Sequence, residues 1–204
     1  MEGRHKLKDF GTAVILCGGK SSRMGFDKCM IKVKGKFLIE IIGEKLSRIF
    51  ENIVLVTNDL EKIKGLKYEG IVDEIPGLGP VGAIYTALKS SKSKYVFVTA
   101  CDMPIIDLDY IEYMMGIIKN QDVDGVVSRK ASHIEPLYAF YSVNLIDTFE
   151  DQIKNNNLRI FDVISRSKIH FVEYDTVKER CGDLNVFSNI NYKTDLGLLE
   201  NMVE

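Results

Sequence analysis

Thr12-Ala13-Val14-Ile15-Leu16 is an apolar run without polar alternation, the pattern of a strand covered on both faces. Similar buried runs return at 53–57 and 95–100, with a shorter one at 70–73. Between them the periodicity changes. Residues 37–50 place Leu38, Ile42, Leu46 and Ile49 at helical spacing, a short helix is expected over 60–65, and residues 107–119 align Leu108, Ile111, Met114 or Met115, and Ile118. Buried strands alternating with helices restrict the chain to an α/β architecture, a mostly parallel twisted sheet in a three-layer α/β/α arrangement. In such sheets ligands bind beyond the carboxyl ends of the strands.

The residues that follow the strands therefore carry the chemistry. After the first strand comes Leu16-Cys17-Gly18-Gly19-Lys20-Ser21-Ser22-Arg23-Met24-Gly25-Phe26-Asp27-Lys28. Gly18 and Gly19 allow a sharp turn and close approach to a ligand. Two hydroxyls, Arg23 and Lys28 suit a polyphosphate, which Arg can grip through two oxygens at once. The spacing is neither that of a P-loop nor the G-x-G-x-x-G of a dinucleotide fold. A glycine-rich surface turn with incidental charges is the plainer reading.

The other strand ends carry Asn58, Asp73 and Asp102. Asp102, in Cys101-Asp102-Met103-Pro104, can hold Mg²⁺, which takes one or two carboxylates and completes its shell with phosphate oxygens and water. Asp102 could equally cap a turn or the next helix. Asp73 has the same readings and one more, accepting hydrogen bonds from a base or ribose. It opens a loop rich in Gly and Pro, in which Gly77, Gly79 and Gly82 either press N–H groups against a flat base or merely permit a tight turn. Pro80 suits the first turn of a helix running through Leu88.

The 204 residues carry a net charge of -2 and 46% hydrophobic content, as in a soluble globular chain kept here as one domain. No global field attracts nucleic acid or an anionic membrane, and no stretch reaches the ~20 apolar residues of a span. The polar start shows no secretory signal. The four cysteines lack C-x-x-C spacing and there are only three histidines, so free thiols in the cytoplasm are expected rather than zinc. In the second half, strands are expected at 124–128, 135–141, 169–174 and 184–187. Helices are expected at 144–154, 158–166 and from about 193.

These parts suit nucleotidyl transfer, in which an oxyanion attacks the α-phosphorus of a nucleoside triphosphate and displaces pyrophosphate. A phosphate nucleophile, with a second pKa of about 6, needs no dedicated general base. Catalysis then rests on positioning and on charge stabilisation by Mg²⁺, Arg23 and Lys28. The lack of an obvious Ser-His-Asp or Cys-His arrangement fits that scheme.

The stretch 16–28 closely resembles the L-x-G-G-x-S-x-R-M-G-x-D-K signature of the molybdenum cofactor guanylyltransferases. Asp73-Glu74-Ile75-Pro76-Gly77-Leu78-Gly79-Pro80-Val81-Gly82-Ala83-Ile84 is similar to that family's D-x-x-x-G-x-G-P-x-x-G-I segment, and Cys101-Asp102-Met103-Pro104 to its C-D-M-P motif. The resemblance implies a nucleotide-diphospho-sugar-transferase-like, Rossmann-like fold. It also implies transfer of GMP from GTP to Mo-molybdopterin, with GTP bound by the N-terminal half and the pterin by the C-terminal half. Leu16, Cys17, Gly18 and Gly19 would contact GTP through the loop backbone, with Lys28 on phosphate. Asn58 and Asp73 would contact the nucleotide, and Asp102 both nucleotide and Mg²⁺. His133-Ile134-Glu135-Pro136-Leu137 resembles a family segment on the side expected to receive the pterin. Asn189-Ile190-Asn191 resembles the N-x-N near the family's C-terminus, although Tyr192-Lys193-Thr194-Asp195 replaces the usual T-P-E-D. Molybdoenzyme apoproteins or cofactor-delivery proteins are the implied recipients. Cytidylyl transfer to the same pterin, nucleotidyl transfer to a sugar or alditol phosphate, and a catalytically silent nucleotide-binding module are the competing readings.

Overall fold

The computed structural model describes residues 7–18, 30–75 and 77–190. Its first strand, β1 (Lys8–Leu16), is buried from Gly11 onwards. Ala13, Ile15 and Cys17 pack into one apolar cluster, and Val14 and Leu16 into a second. Two covered faces explain why the run has no alternation.

A hairpin of β2 (Lys32–Val33) and β3 (Lys36–Phe37) leads into α1 (Leu38–Leu46). Then follow β4 (Asn52–Thr57), β5 (Glu69–Val72), α2 (Gly79–Ser90), β6 (Ser93–Ala100), α3 (Leu108–Asn120), β7 (Gly125–Lys130) and β8 (His133–Ser142). The described chain continues with α4 (Ile146–Lys154), α5 (Ile160–Ser165), β9 (Ile169–Glu173) and α6 (Tyr174–Cys181). The buried faces of α1, α3 and α6 join the first cluster, and those of α2, α4 and α5 the second, giving the expected three layers.

The seven-stranded sheet has the order β5-β4-β1-β6-β8-β7-β9. Strands β5, β4, β1 and β6 are parallel, β8 runs against both β6 and β7, and β9 is parallel to β7. From β5 the chain crosses over through α2 to β6 on the far side of β1, so the winding reverses between β1 and β6. That is the switch point at which open α/β sheets bind ligands. Because β8 is reversed, its N-terminal end lies on the same edge as the carboxyl ends of the other strands.

Several boundaries differ from the sequence expectation for local reasons. α1 stops at Leu46 rather than running to 50, where the Ser47 hydroxyl donates to the Gly43 carbonyl at 2.7 Å, a bond that competes with regular helix. Residues 184–187 were expected as a strand, but Asn185–Phe187 is a 3-10 turn. Asp183 Oδ1 accepts from the Asn185 N–H at 2.8 Å and the Leu184 carbonyl from the Phe187 N–H at 3.0 Å. The strand expected to reach 174 ends at Glu173, and Tyr174 opens α6, an unanticipated helix with Val177 as its one buried residue. Gly182 closes it at φ 79°, a conformation glycine adopts without a Cβ penalty. The helix expected from about 193 lies outside the described residues.

Candidate active site

Main-chain hydrogen bonds continue the parallel ladder beyond the strand ends. Cys17 N–H donates to the Val56 carbonyl at 2.7 Å, Cys101 N–H to Leu16 at 3.1 Å, and Asp73 N–H to Thr57 at 2.9 Å. The ladder thereby delivers Gly18, Asn58, Asp73 and Asp102 to one edge. Leu16 and Cys17 bury their side chains in opposite clusters. Gly18 is exposed, and a Cβ there would lie 3.8 Å from Asn58 Nδ2, which sets the Asn58 amide beside the entrance to the loop. Gly19, Arg23 and Lys28 lie outside the described residues.

Asp73 is 6% exposed. Its Oδ1 accepts from the Thr86 hydroxyl at 3.1 Å and the Ile75 N–H at 3.2 Å, and Thr86 Oγ1 accepts from the Glu74 N–H at 3.0 Å. One oxygen thus pins the loop to α2, while Oδ2 takes no hydrogen bond among the described residues and can serve a ligand's donors. Thr86 was not singled out in the sequence. The available signal was a hydroxyl within the apolar run Ala83-Ile84-Tyr85-Thr86-Ala87-Leu88.

The loop itself divides the labour among its glycines. Gly77 and Gly79 stand at φ 92° and 61°, conformations costly for any residue with a Cβ. Gly82 is needed for proximity instead: a methyl group there would meet Leu78 Cβ at 3.0 Å, the Ile75 carbonyl at 3.1 Å and Asp73 Oδ1 at 3.4 Å. It lets α2 pack closely under the loop. The first turn of α2 carries Pro80, no acidic residue and no side-chain cap, and a helix start of this kind favours electron-rich ligands.

Asp102 is half-buried immediately after β6. Its carbonyl accepts from the Ile190 N–H at 2.8 Å, which brings Asn189 alongside; Asn191 lies outside the described residues. Asp73 and Asp102 are separated by β4 and β1, about 14 Å at the usual strand spacing of ~4.8 Å, so one ion cannot bridge them. No group of three or more His, Cys, Asp or Glu converges as a metal cage among the described residues. A single carboxylate at Asp102 still fits Mg²⁺, which keeps waters and takes substrate phosphate oxygens rather than an all-protein shell.

Beyond Asp102, the start of β8 brings His133 and Glu135 to the same edge. His133 is exposed and its Nε2 lies 3.0 Å from Glu135 Oε1, an oxygen that also accepts from the Tyr174 hydroxyl. Burial, and then the bond to Glu135, push the Tyr174 phenol well above its usual range, so it remains a protonated donor. The resemblance placed Glu135 within the 133–137 segment on the expected pterin side but gave Tyr174 no site role, because their meeting depends on β7, β8 and β9 lying side by side.

A doubly wound sheet with these polar groups along its carboxyl edge defines an α/β protein of the class that binds its ligands at the switch point. A family model described as MobA-like NTP transferase domain matches residues 13–167, and the chain belongs to that family. It is 38% identical over 186 residues to the molybdenum cofactor guanylyltransferase of Syntrophotalea carbinolica, covering 91% of this chain and 89% of that protein. It is 36% identical over 194 residues to the probable molybdenum cofactor guanylyltransferase of Peptoclostridium acidaminophilum, covering 93% and 88%. The crystal structure of molybdopterin-guanine dinucleotide biosynthesis protein A from Archaeoglobus fulgidus superposes with a TM-score of 0.80 at 27% identity, covering 93% and 97%.

Proposed function

We propose that this chain transfers GMP from GTP to Mo-molybdopterin, forming the guanine dinucleotide cofactor and pyrophosphate. The observation that carries this reading is the order of groups along one sheet edge: Asp73 and the α2 loop, Asn58, Gly18, Asp102, then Glu135. That is the order an extended nucleotide needs, with base and ribose at one end, phosphates over the Gly18 loop, and an acceptor beyond the metal-holding carboxylate. Sequence likeness to relatives bearing this name over about nine-tenths of the chain supports the same activity.

In this reading an ionised phosphate oxygen of the pterin acceptor attacks the α-phosphorus of GTP. The new P–O bond forms as the bond to the α,β-bridging oxygen breaks, and pyrophosphate leaves with the electron pair. Asp102 would hold Mg²⁺, which when bound would supply charge neutralisation at the phosphates. Arg23 and Lys28 add to it from the loop, and Asp73 Oδ2 accepts from the nucleotide. The N-terminal half serves GTP and the C-terminal half the acceptor. No helix among the described residues is long and apolar enough to cross a membrane, and a cytoplasmic location suits substrates of this kind.

Incubation with Mg²⁺, GTP and Mo-molybdopterin is expected to yield the guanine dinucleotide with stoichiometric pyrophosphate, and CTP to substitute poorly. Absence of the dinucleotide would defeat the assignment. Gly82→Ala provides a narrower check. A methyl 3.1 Å from the Ile75 carbonyl has to push the loop off α2, so GTP affinity should fall about tenfold at a stability cost of about 1–2 kcal/mol. Calorimetric titration with GTP measures the first and urea unfolding the second; unchanged affinity would mean that the loop does not form the nucleotide wall.

A further inference from the structure

Glu135 has a side chain only 17% exposed, and its two oxygens are used unequally. Oε1 accepts both from the Tyr174 hydroxyl and from His133 Nε2 at 3.0 Å; a carboxylate only accepts, so the imidazole nitrogen carries the proton there. Oε2 takes no hydrogen bond among the described residues. Arg129, next to the register partner of Glu135, is committed elsewhere: it pairs with Glu173 at 2.6 Å and lies over the Phe171 ring at 4.4 Å.

The cluster is braced from the side of the catalytic edge. Tyr174 stacks on Phe187 with ring centroids 5.3 Å apart, and Phe187 stands edge-on to Tyr138 at 5.9 Å. Three residues after Phe187, the Ile190 N–H bonds to the Asp102 carbonyl at 2.8 Å. The segment from Phe187 to Ile190 thus ties the aromatic brace around Glu135 to the residue proposed to hold the metal. A carboxylate oriented by two donors on one oxygen, with the other oxygen left to accept, is built to read N–H groups.

We propose that Glu135 Oε2 accepts hydrogen bonds from the exocyclic amino group and adjacent ring N–H of the acceptor's 2-amino-4-oxo heterocycle, making Glu135 a specificity-determining residue. Tyr174 and His133 are its positioning residues. This rests on the reading of the acceptor as a pterin. Guanine presents the same pair of donors, but its expected wall at Asp73 and α2 lies on the opposite side of β1 in the sheet, so Glu135 belongs to the acceptor.

The test is Glu135→Gln, nearly isosteric, with thermal unfolding to verify the fold. The Michaelis constant for Mo-molybdopterin should rise about tenfold or more, as expected for a lost charge-assisted hydrogen bond, while that for GTP stays within about twofold. Free pterin and lumazine, which differ in the 2-amino group, give a readout independent of turnover. The wild type should bind pterin at least about tenfold more tightly, and Glu135→Gln should abolish the preference. Tyr174→Phe should weaken the preference without shifting the constant for GTP. Equal pterin binding by wild type and Glu135→Gln overturns the assignment whether or not dinucleotide forms, as does a parallel rise in the constant for GTP. Intact, Glu135-dependent pterin preference in a protein that makes no dinucleotide supports the assignment and defeats only the reading of the reaction.

Discussion

Asp102→Asn is expected to lower turnover about a hundred- to a thousandfold while leaving the protein folded. The backbone at this position is held independently of the side chain: Cys101 N–H donates to Leu16 at 3.1 Å, Met103 N–H to Ala100 at 3.0 Å, and Ile190 N–H to the Asp102 carbonyl at 2.8 Å. An amide of the same shape keeps that scaffold and removes the charge. On the proposed reading the loss is the protein's hold on a divalent cation and the stabilisation of charge that develops at the phosphates, an effect of the size seen when preorganised electrostatic groups are removed. The stability change should remain about 1 kcal/mol or less. Pyrophosphate release measured against Mg²⁺ concentration, with thermal unfolding alongside, checks both. Turnover within about twofold of the wild type would refute the metal role.

Phe97→Ala is expected to cost about 4 kcal/mol, a large part of the 5–15 kcal/mol typical of a domain. Phe97 is fully buried in β6, flanked by Ala13 of β1 and Phe140 of β8. Its ring centroid lies 5.8 Å from Phe50, 5.1 Å from Tyr138 and 5.3 Å from Phe140. The one polar atom on these rings, the Tyr138 hydroxyl, already accepts from the Asp107 N–H at 2.9 Å, so truncation leaves an apolar cavity. Because Phe97 lies in the core and Asp102 only follows the end of β6, the loss should appear in the urea midpoint before it appears in the rate per folded molecule. A cost below about 1.5 kcal/mol would mean that the sheet relaxes around this position far more than its packing implies.

Much of the parallel half was legible. The unalternating runs at 12–16, 53–57 and 95–100 correspond to β1, β4 and β6, because two-sided burial demands apolar residues at consecutive positions. The loop from 73 was legible because glycine and proline mark backbone geometry directly, as Gly77 and Gly79 bear out with their positive φ. The second half was harder to read. In α6 the buried stripe shrinks to Val177, below what periodicity can detect, and the Asn185–Phe187 turn is made by an Asp183 side chain that pattern counting does not weigh.

By itself the sequence determined the class of sheet and the strand ends that carry polar residues. These are local properties: periodicity, turn chemistry and residue type act over a few positions. The tertiary structure alone decided how those ends line up, with Asp73 and Asp102 on opposite sides of β1 and Glu135 beyond. It also decided that Thr86 orients Asp73, that Tyr174 reaches Glu135, and that Ile190 anchors Asp102. Such pairings depend on strand order and register, and residues far apart in the chain share an edge only after the winding has reversed at β1 and β6.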